Sequence, residues 1–342
     1  MKRAPLISVV IPTRNRAGLL SDCLDSLLSQ DASTPFEVVV VDNGSVDETA
    51  AVLEARSRRD ARVRTVTETE PGRSPALLAG MREADGGLLL FTDDDVVLDA
   101  GWVEAYARFF DRHPGLVLAG GPIEPVAKGG EWPPWFSPRA LVSLGAVIHD
   151  GERALGPGEH LWGANMAARP DLFERFGSWD PRLGVRGSDH PTDPGRNEDV
   201  DLQYRVRERG GEVWFCPGAR VRHRIDVPGP RRCLSQAFAN GRNSYHRRAW
   251  PGMPIDPRRG ARSVRSRMAL LEALTRFLIW SAWLRVRRGP TVFERSWVAA
   301  WQSGWRLEDL LSNQVRDGFD RRTRALTHKA TRAATRVAPE EA

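Results

Sequence analysis

The sequence predicts an α/β fold: a mostly parallel central sheet with helices on both faces, followed by a helical C-terminal region. Three observations predict it. Over the first 120 residues, strand-like and helix-like segments alternate. The strands are continuous apolar runs, as strands covered on both faces must be. Each of them also ends in polar residues, at the edge where an open parallel sheet binds its ligands.

The elements follow in order. LISVVIP (6–12) is a buried strand, and RAGLLSDCLDSLLSQ (16–30) spaces its leucines for a helix. FEVVVVDNGS (36–45) is a second buried strand ending in turn residues, followed by the helix VDETAAVLEARSRR (46–59). RVRTVTET (62–69) is a third strand, and SPALLAGMREA (74–84) a third helix. GLLLFTDDD (87–95) is the fourth strand, GWVEAYARFFDRHP (101–114) the helix after it, and LVLAGGPIEPV (116–126) a fifth strand. The regularity then stops. Residues 127–160 are rich in Gly, Pro and Trp (KGGEWPPWFSPR), which reads as a long loop or lid. A mixed segment to about 225 holds the helix DLFERFGS, the acidic turn RNEDVD, the helix VDLQYRVRERG and the strand EVWFCPGARVRHRI. From about 231 the pattern is helical, basic and rich in tryptophan.

The ends of the strands collect the chemistry. Strand one ends in PTRNR, strand two in VDNGS, strand three in TETEPGR and strand four in three aspartates. Adjacent carboxylates repel, and burying them is costly unless something positive lies between them. Asp93 and Asp95 are two residues apart, so at a frayed strand end both can aim into one space. A hard divalent cation there, Mg2+ or Mn2+, would relieve the repulsion and keep positions open for phosphate oxygens. A strand-to-helix turn with Asp as its cap accounts for the same residues without a ligand. Asp42 and Asn43 read either as an Asx turn or as partners for a nucleobase N–H or a ribose hydroxyl. In NED, Asn197 as cap with acids in the first turn is the structural reading.

Five stretches together carry a resemblance. VVIPTRNR, VVVVDNGSVDET, LLLFTDDDVV, WGANMAARPDLFERFGSWDPRLG and NEDVDLQYRVRERG, in this order over about residues 5–225, resemble the family 2 glycosyltransferases, with their Rossmann-like GT-A fold. The resemblance implies a nucleotide-sugar donor, a divalent metal and inversion at the anomeric carbon. It implies that Pro12, Thr13 and Arg14 line the base, that Asp42 and Asn43 bind it, and that Asp93 and Asp94 face the ribose or donor sugar. Asp95 and His223 would be metal ligands. Asp199 would be the general base with Glu198 beside it, and Trp162, Gly163, Ala164 and Asn165 would stand near donor sugar and acceptor. Where the family often has an arginine after strand three, this chain has Leu77, and Arg73 is the candidate replacement. The QxxRW motif of processive members is absent, and Arg242 in QAFANGR is a weak candidate for a diphosphate contact, so transfer of a single sugar is expected.

On this reading residues 1–228 form the catalytic domain, with a nucleotide-sugar half (1–126) and an acceptor half (127–228). Residues 229–325 form a helical extension and 326–342 a disordered tail. Two rivals use the same residues. A haloacid-dehalogenase-like phosphatase would use Asp93 as nucleophile, but that motif opens its fold, and here three strand–helix units precede it. A non-catalytic nucleotide-binding or interaction protein would keep the fold without the reaction.

Composition bounds the rest. Fifty Lys and Arg against 44 Asp and Glu give +6, with the excess mostly after residue 205. Such a half could meet nucleic acid, anionic lipid or a phosphorylated substrate, but the arginines are scattered and no nucleic-acid-binding motif appears. Cys23, Cys216 and Cys233 form no CxxC pair, which fits a reducing compartment. No segment reaches the roughly 18 uninterrupted apolar residues of a membrane span. MALLEALTRFLIWSAWL (268–284) comes nearest, interrupted by Glu272, Thr275 and Arg276. The expectation is a cytoplasmic protein. Its C-terminal helices either pack on the domain, form a homodimer or rest peripherally at the inner face of a membrane. The acceptor, whether glycan, lipid-linked or small molecule, is not named by any motif. WPPWFSP (132–138) offers aromatic faces either to a sugar or lipid or to the domain beneath. His190, in SDHPTD, reads as loop.

Overall fold

The computed structural model describes residues 6–227 apart from 138–140, 142–143, 157, 182 and 184–197, and then 229–230, 232–235, 237–238, 271–280, 289–300, 302–303 and 307. His190, Asn197, Arg242 and the tail 326–342 therefore lie outside the described residues. By internal contacts the chain divides into two compact units, Met1–Pro230 with Gly289–Glu294, and Arg231–Arg288 with Arg295–Ala342.

The first unit is built on β1 (Ile7–Thr13), β2 (Phe36–Asp42), β3 (Val63–Thr67) and β4 (Leu88–Thr92), which pair in parallel in the order β3-β2-β1-β4. Strands β1, β2 and β4 are buried almost throughout, as their unbroken apolar runs require. Between them run α1 (Ala17–Leu28), α2 (Thr49–Arg59) and α3 (Arg73–Glu83). Register aligns the rim: Thr13 stands opposite Asp42, and Asp42 opposite Thr67.

Past β4 the structure departs from the expected regular alternation. The aspartates do not end a strand that leads into a helix. They form a turn into a short strand, β5 (Val96–Leu98), and only then comes α4 (Trp102–Arg112). The expected single strand 116–126 is two strands, β6 (Leu118–Gly120) and β7 (Ile123–Ala127), which belong to different sheets. The break falls at Gly121, where a Cβ would stand 2.0 Å from the Ala219 carbonyl oxygen. Within the expected loop, β8 (Arg153–Ala154) pairs at the sheet edge, and Val147 bridges to Ile123.

The strand that was not expected is β9 (Asn165–Ala168). It runs antiparallel between β4 and β6, with Thr92 opposite Asn165. The helices α5 (Asp171–Phe176) and α6 (Glu198–Glu208) follow, and α6 begins at Glu198, inside the expected acidic turn. The last expected strand is also two, β10 (Val213–Phe215) and β11 (Val221–Ile225). The result is a mixed eight-stranded sheet, β3-β2-β1-β4-β9-β6-β10-β8, and a three-stranded sheet, β5-β11-β7.

The C-terminal region is helical where it is described at length, at 271–280 and 290–300. Among the described residues no helix is long and apolar enough to cross a membrane. The lid aromatics pack inward. Trp132 stacks on Phe136 at 4.8 Å, and Trp135 and Phe136 both meet Phe293.

Candidate active site

The pairing of β1 with β4 carries Thr13 to the level of the acid turn. Its hydroxyl donates a 2.7 Å hydrogen bond to Asp94 Oδ2. Arg16, in the loop before α1, puts one nitrogen, Nη1, 2.9 Å from Asp94 Oδ1 and 2.5 Å from Asp95 Oδ2. On the other side of the turn, Arg73 opens α3. Its Nε and Nη2 donate to Asp93 Oδ1 at 3.1 and 2.8 Å, while its Nη1 donates to Glu198 Oε1 at 2.7 Å. The three adjacent carboxylates are therefore held by two arginines. Burial still pushes the Asp94 carboxyl up to about 6, with Arg16 opposing.

Arg73 joins the acid turn to the start of α6. There Asp199, 7% exposed, accepts the Gly163 N–H at 2.9 Å on Oδ2 and the Val200 N–H at 2.7 Å on Oδ1. Burial first, and the charge of Glu198 second, raise its pKa to about 7 against the pull of Arg73. Gly163 is glycine for a spatial reason: a Cβ there would stand 2.5 Å from Arg73 Nη2. Gln203, one turn along α6, fixes the register of this corner. It donates to the carbonyls of Leu161 and Asp199 and accepts the Leu161 N–H.

Asp95 and His223 also come together. His223, on β11, lies with Nε2 3.2 Å from Asp95 Oδ1, an ion-pair contact rather than an aligned hydrogen bond. Asp95 Oδ1 and His223 Nδ1 are both buried without a hydrogen-bond partner. Burial acts against both charges, but each outweighs it for the other: His223, with Arg16, holds Asp95 down at about 2, and Asp95 raises His223.

Among the described residues no group of three or more His, Cys, Asp and Glu side chains could hold a metal. Mg2+ and Mn2+ do not require one, because such ions commonly take one or two protein ligands and fill the remaining positions with phosphate and water. An orphaned carboxylate oxygen beside an imidazole, at the spacing of neighbouring ligands on one small cation, fits that pattern. Gly145 stands close to both Trp162 and His223: a Cβ on it would lie 3.8 Å from Trp162 Cδ1 and 3.9 Å from His223 Nδ1.

Other expected site residues have different places. Asn165 has its side chain in the core. It is fully buried, its Oδ1 accepts from Trp102 Nε1 and Tyr106 Oη, and its Nδ2 donates to the carbonyls of Pro122 and Ala219. An amide with both donors and its oxygen so engaged has nothing left to offer a ligand. Asn165→Ala is expected to lower stability by about 3–5 kcal/mol, because several buried polar groups lose partners at once. Urea unfolding measures this. A variant of unchanged stability that no longer discriminates donor sugars would restore the sugar contact.

Asn43 is likewise a tether. It donates to the carbonyls of Glu68 and Glu70 and accepts the Gly72 N–H, so it shapes the loop that delivers Arg73. Asp42 accepts the Ser45 N–H in an Asx turn and lines the rim beside Thr13. Pro12 and Arg14 are half-buried around Thr13, and Leu77 is fully buried. Two residues escaped the sequence reading: Arg16 and Gln203. For Arg16 the signal was available, since three acids demand a cation and PTRNR supplies one at a neighbouring strand end.

The family model "Glycosyl transferase family 2" matches residues 8–161. Validoxylamine A glucosyltransferase of Streptomyces hygroscopicus subsp. jinggangensis is 31% identical over 231 residues, covering 60% of this chain and 52% of that protein. Glucosyl-dolichyl phosphate glucuronosyltransferase of Haloferax volcanii is 27% identical over 230 residues, covering 64% of this chain and 69% of that protein. The chain thus spans about half the length of the validoxylamine glucosyltransferases it matches. Among solved structures, GalNAc-T7 with UDP, GalNAc and Mn2+ superposes with a TM-score of 0.50 at 16% identity, over 75% of this chain and 53% of that one, a likeness of fold.

Proposed function

We propose, from the match of residues 8–161 to the glycosyl transferase family 2 model, that this chain is a member of that family and moves a single sugar from a nucleotide-sugar donor to an acceptor hydroxyl, with inversion. The observation that carries the proposal is Arg73. One guanidinium ties Asp93 of the acid turn to Glu198, next to Asp199, so a donor group and a base group share one site.

In this reading Thr13, Pro12, Arg14 and Asp42 line the nucleotide, and Asp93 and Asp94 border the ribose and donor sugar. Asp95 and His223 would hold Mg2+ or Mn2+. When bound, the cation would act as a Lewis acid on the departing diphosphate. Asp199 takes the acceptor's proton as the hydroxyl oxygen attacks the anomeric carbon from the face opposite the diphosphate. One displacement then inverts the centre, and no covalent nucleophile is needed. The carboxylates around the sugar favour a transition state of oxocarbenium character. Glu198 serves as the anchor that keeps Arg73 beside the base.

The phosphatase alternative gains no support from the family match, which spans the acid turn. The domain limits at 228 and 126, a cytoplasmic location and a peripheral membrane or homodimer contact stay part of the proposal. The acceptor is a glycan, a lipid-linked sugar or a small molecule.

Calorimetric titration of nucleoside diphosphates and nucleotide sugars, with and without Mn2+, tests the donor site. Glucosyl and glucuronosyl donors come first, because the relatives are named for those sugars. One nucleotide should bind with metal and be lost in Asp95→Ala. A folded protein that binds none of the panel with metal present would overturn the reading.

A further inference from the structure

We infer that Arg16 is a built-in substitute cation: it holds the acid turn while metal is absent and yields it when a donor diphosphate arrives. The inference rests on the donor-site reading above. A single nitrogen of Arg16 lies 2.9 Å from Asp94 and 2.5 Å from Asp95. Among the described residues no other arginine or lysine pairs with either acid, and leaving buried acid charges unopposed is costly.

The two sides of this contact differ in freedom. The Asp94 and Asp95 side chains are 5% and 14% exposed, and Asp94 is pinned by Thr13. Arg16 is 46% exposed and springs from the β1–α1 loop, just after Asn15, whose φ of 54° marks a sharp turn. The guanidinium is thus the partner that can leave. Arg16 takes Asp95 Oδ2, while Oδ1, beside His223, has no hydrogen-bond partner, so the arginine and a metal would share one carboxylate from its two oxygens and repel each other across it.

A competitor of this kind sets the order of events. Metal alone would set a second cation against the Asp95 carboxylate that Arg16 already holds, and would leave Arg16 with Asp94 as its remaining partner. Metal arriving with a diphosphate brings a new anion for the guanidinium, which binds diphosphate oxygens well. Metal and nucleotide then bind cooperatively, and Arg16 is a positioning residue that supplies part of the coupling. An enzyme so built would resist idle metal loading and would assemble its cation site only around a donor.

The test uses the full-length chain and Mn2+, followed by electron paramagnetic resonance of the free ion, alone and with UDP or GDP. The wild type should bind Mn2+ weakly alone and more tightly with the nucleotide that fits. Arg16→Gln should bind Mn2+ alone about tenfold more tightly, equivalent to about 1.4 kcal/mol, and gain correspondingly less from nucleotide. Arg16→Lys keeps a cation and should stay near the wild type. Mn2+ should also raise the Tm of Arg16→Gln more than that of the wild type.

Equal or weaker Mn2+ affinity in Arg16→Gln overturns the inference, as does a lysine variant that matches the glutamine one. A wild type whose Mn2+ affinity ignores nucleotide overturns it with no variant needed. If no nucleotide binds under any condition, it is the donor site itself that fails, a different result from an unchanged Arg16 variant.

Discussion

Asp199→Asn is expected to lower kcat/KM by on the order of 10^2- to 10^4-fold, the range that a positioned general base supplies. Asparagine keeps the shape and can still accept the Gly163 N–H, but it cannot take a proton. The wild-type profile should carry the signature of this group. Burial and Glu198 raise Asp199 to about 7, so it is protonated and idle in acid. The kcat/KM of the free enzyme should rise with pH through about 7 and then level off. The asparagine variant should lack that limb.

Stability moves in the opposite sense. The native state binds the proton up to about 7, whereas an unfolded aspartate releases it near 3.8. Between these values the folded form holds more protons, so this group makes the wild type less stable as pH rises. Asp199→Asn should lose that slope. Urea unfolding at a series of pH values, set beside a pH–rate profile, reads both effects. A variant with near wild-type turnover would remove Asp199 from the reaction.

Arg73→Ala is the second large effect, and it reaches both fold and rate. The guanidinium is 14% exposed and faces Glu198 at 6% and Asp93 at 26%. Removing one member of a buried ion pair leaves an uncompensated charge and typically costs about 3–5 kcal/mol. Arg73 also pulls the Asp199 pKa down. Its loss should let that pKa climb and shift the acid limb of kcat/KM to higher pH. Lysine at 73 cannot span both acids in the same fork, so Arg73→Lys should recover only part of either effect. Chemical denaturation and the pH–rate profile measure the two arms separately. An alanine variant with unchanged stability and an unmoved limb would show the contact to be incidental.

The first half of the fold was legible because its strands are long and apolar. ISVVIPT, FEVVVVD and LLLFT need only burial on two faces, and local sequence states that requirement plainly. The second half was harder for physical reasons. Asn-Met-Ala-Ala is short and made largely of small residues because β9 is wedged between β4 and β6, and its antiparallel direction depends on partners far away in sequence. LVLAGGPIEPV reads as one apolar run, and only the close approach of the Ala219 carbonyl at Gly121 shows why it must break. At the site, Asp93 and Asp95 were named as a candidate cation pair from their spacing, Asp199 and His223 only through the resemblance, and the structure brings Asp95 to His223 and Asp93 to Glu198 through Arg73. Arg16 was passed over because the acids it serves are 78 and 79 residues away, and a metal answered the same electrostatic demand. The core role of the Asn165 side chain was not legible, because an asparagine in a Gly-Ala-Asn turn looks alike whether it serves a ligand or a core.

Asn165 also bears on how such chains can be recombined. Its hydrogen-bond partners come from both sides of residue 126: the Trp102 indole, the Tyr106 phenol and the Pro122 carbonyl before it, and the Ala219 carbonyl after it. A chimera joined between 126 and 127 would take the amide from one parent and the indole and phenol from the other. The parts on either side of residue 126 could be exchanged between relatives only when both parents carry the same four-way junction, or when the crossover moves the whole set together.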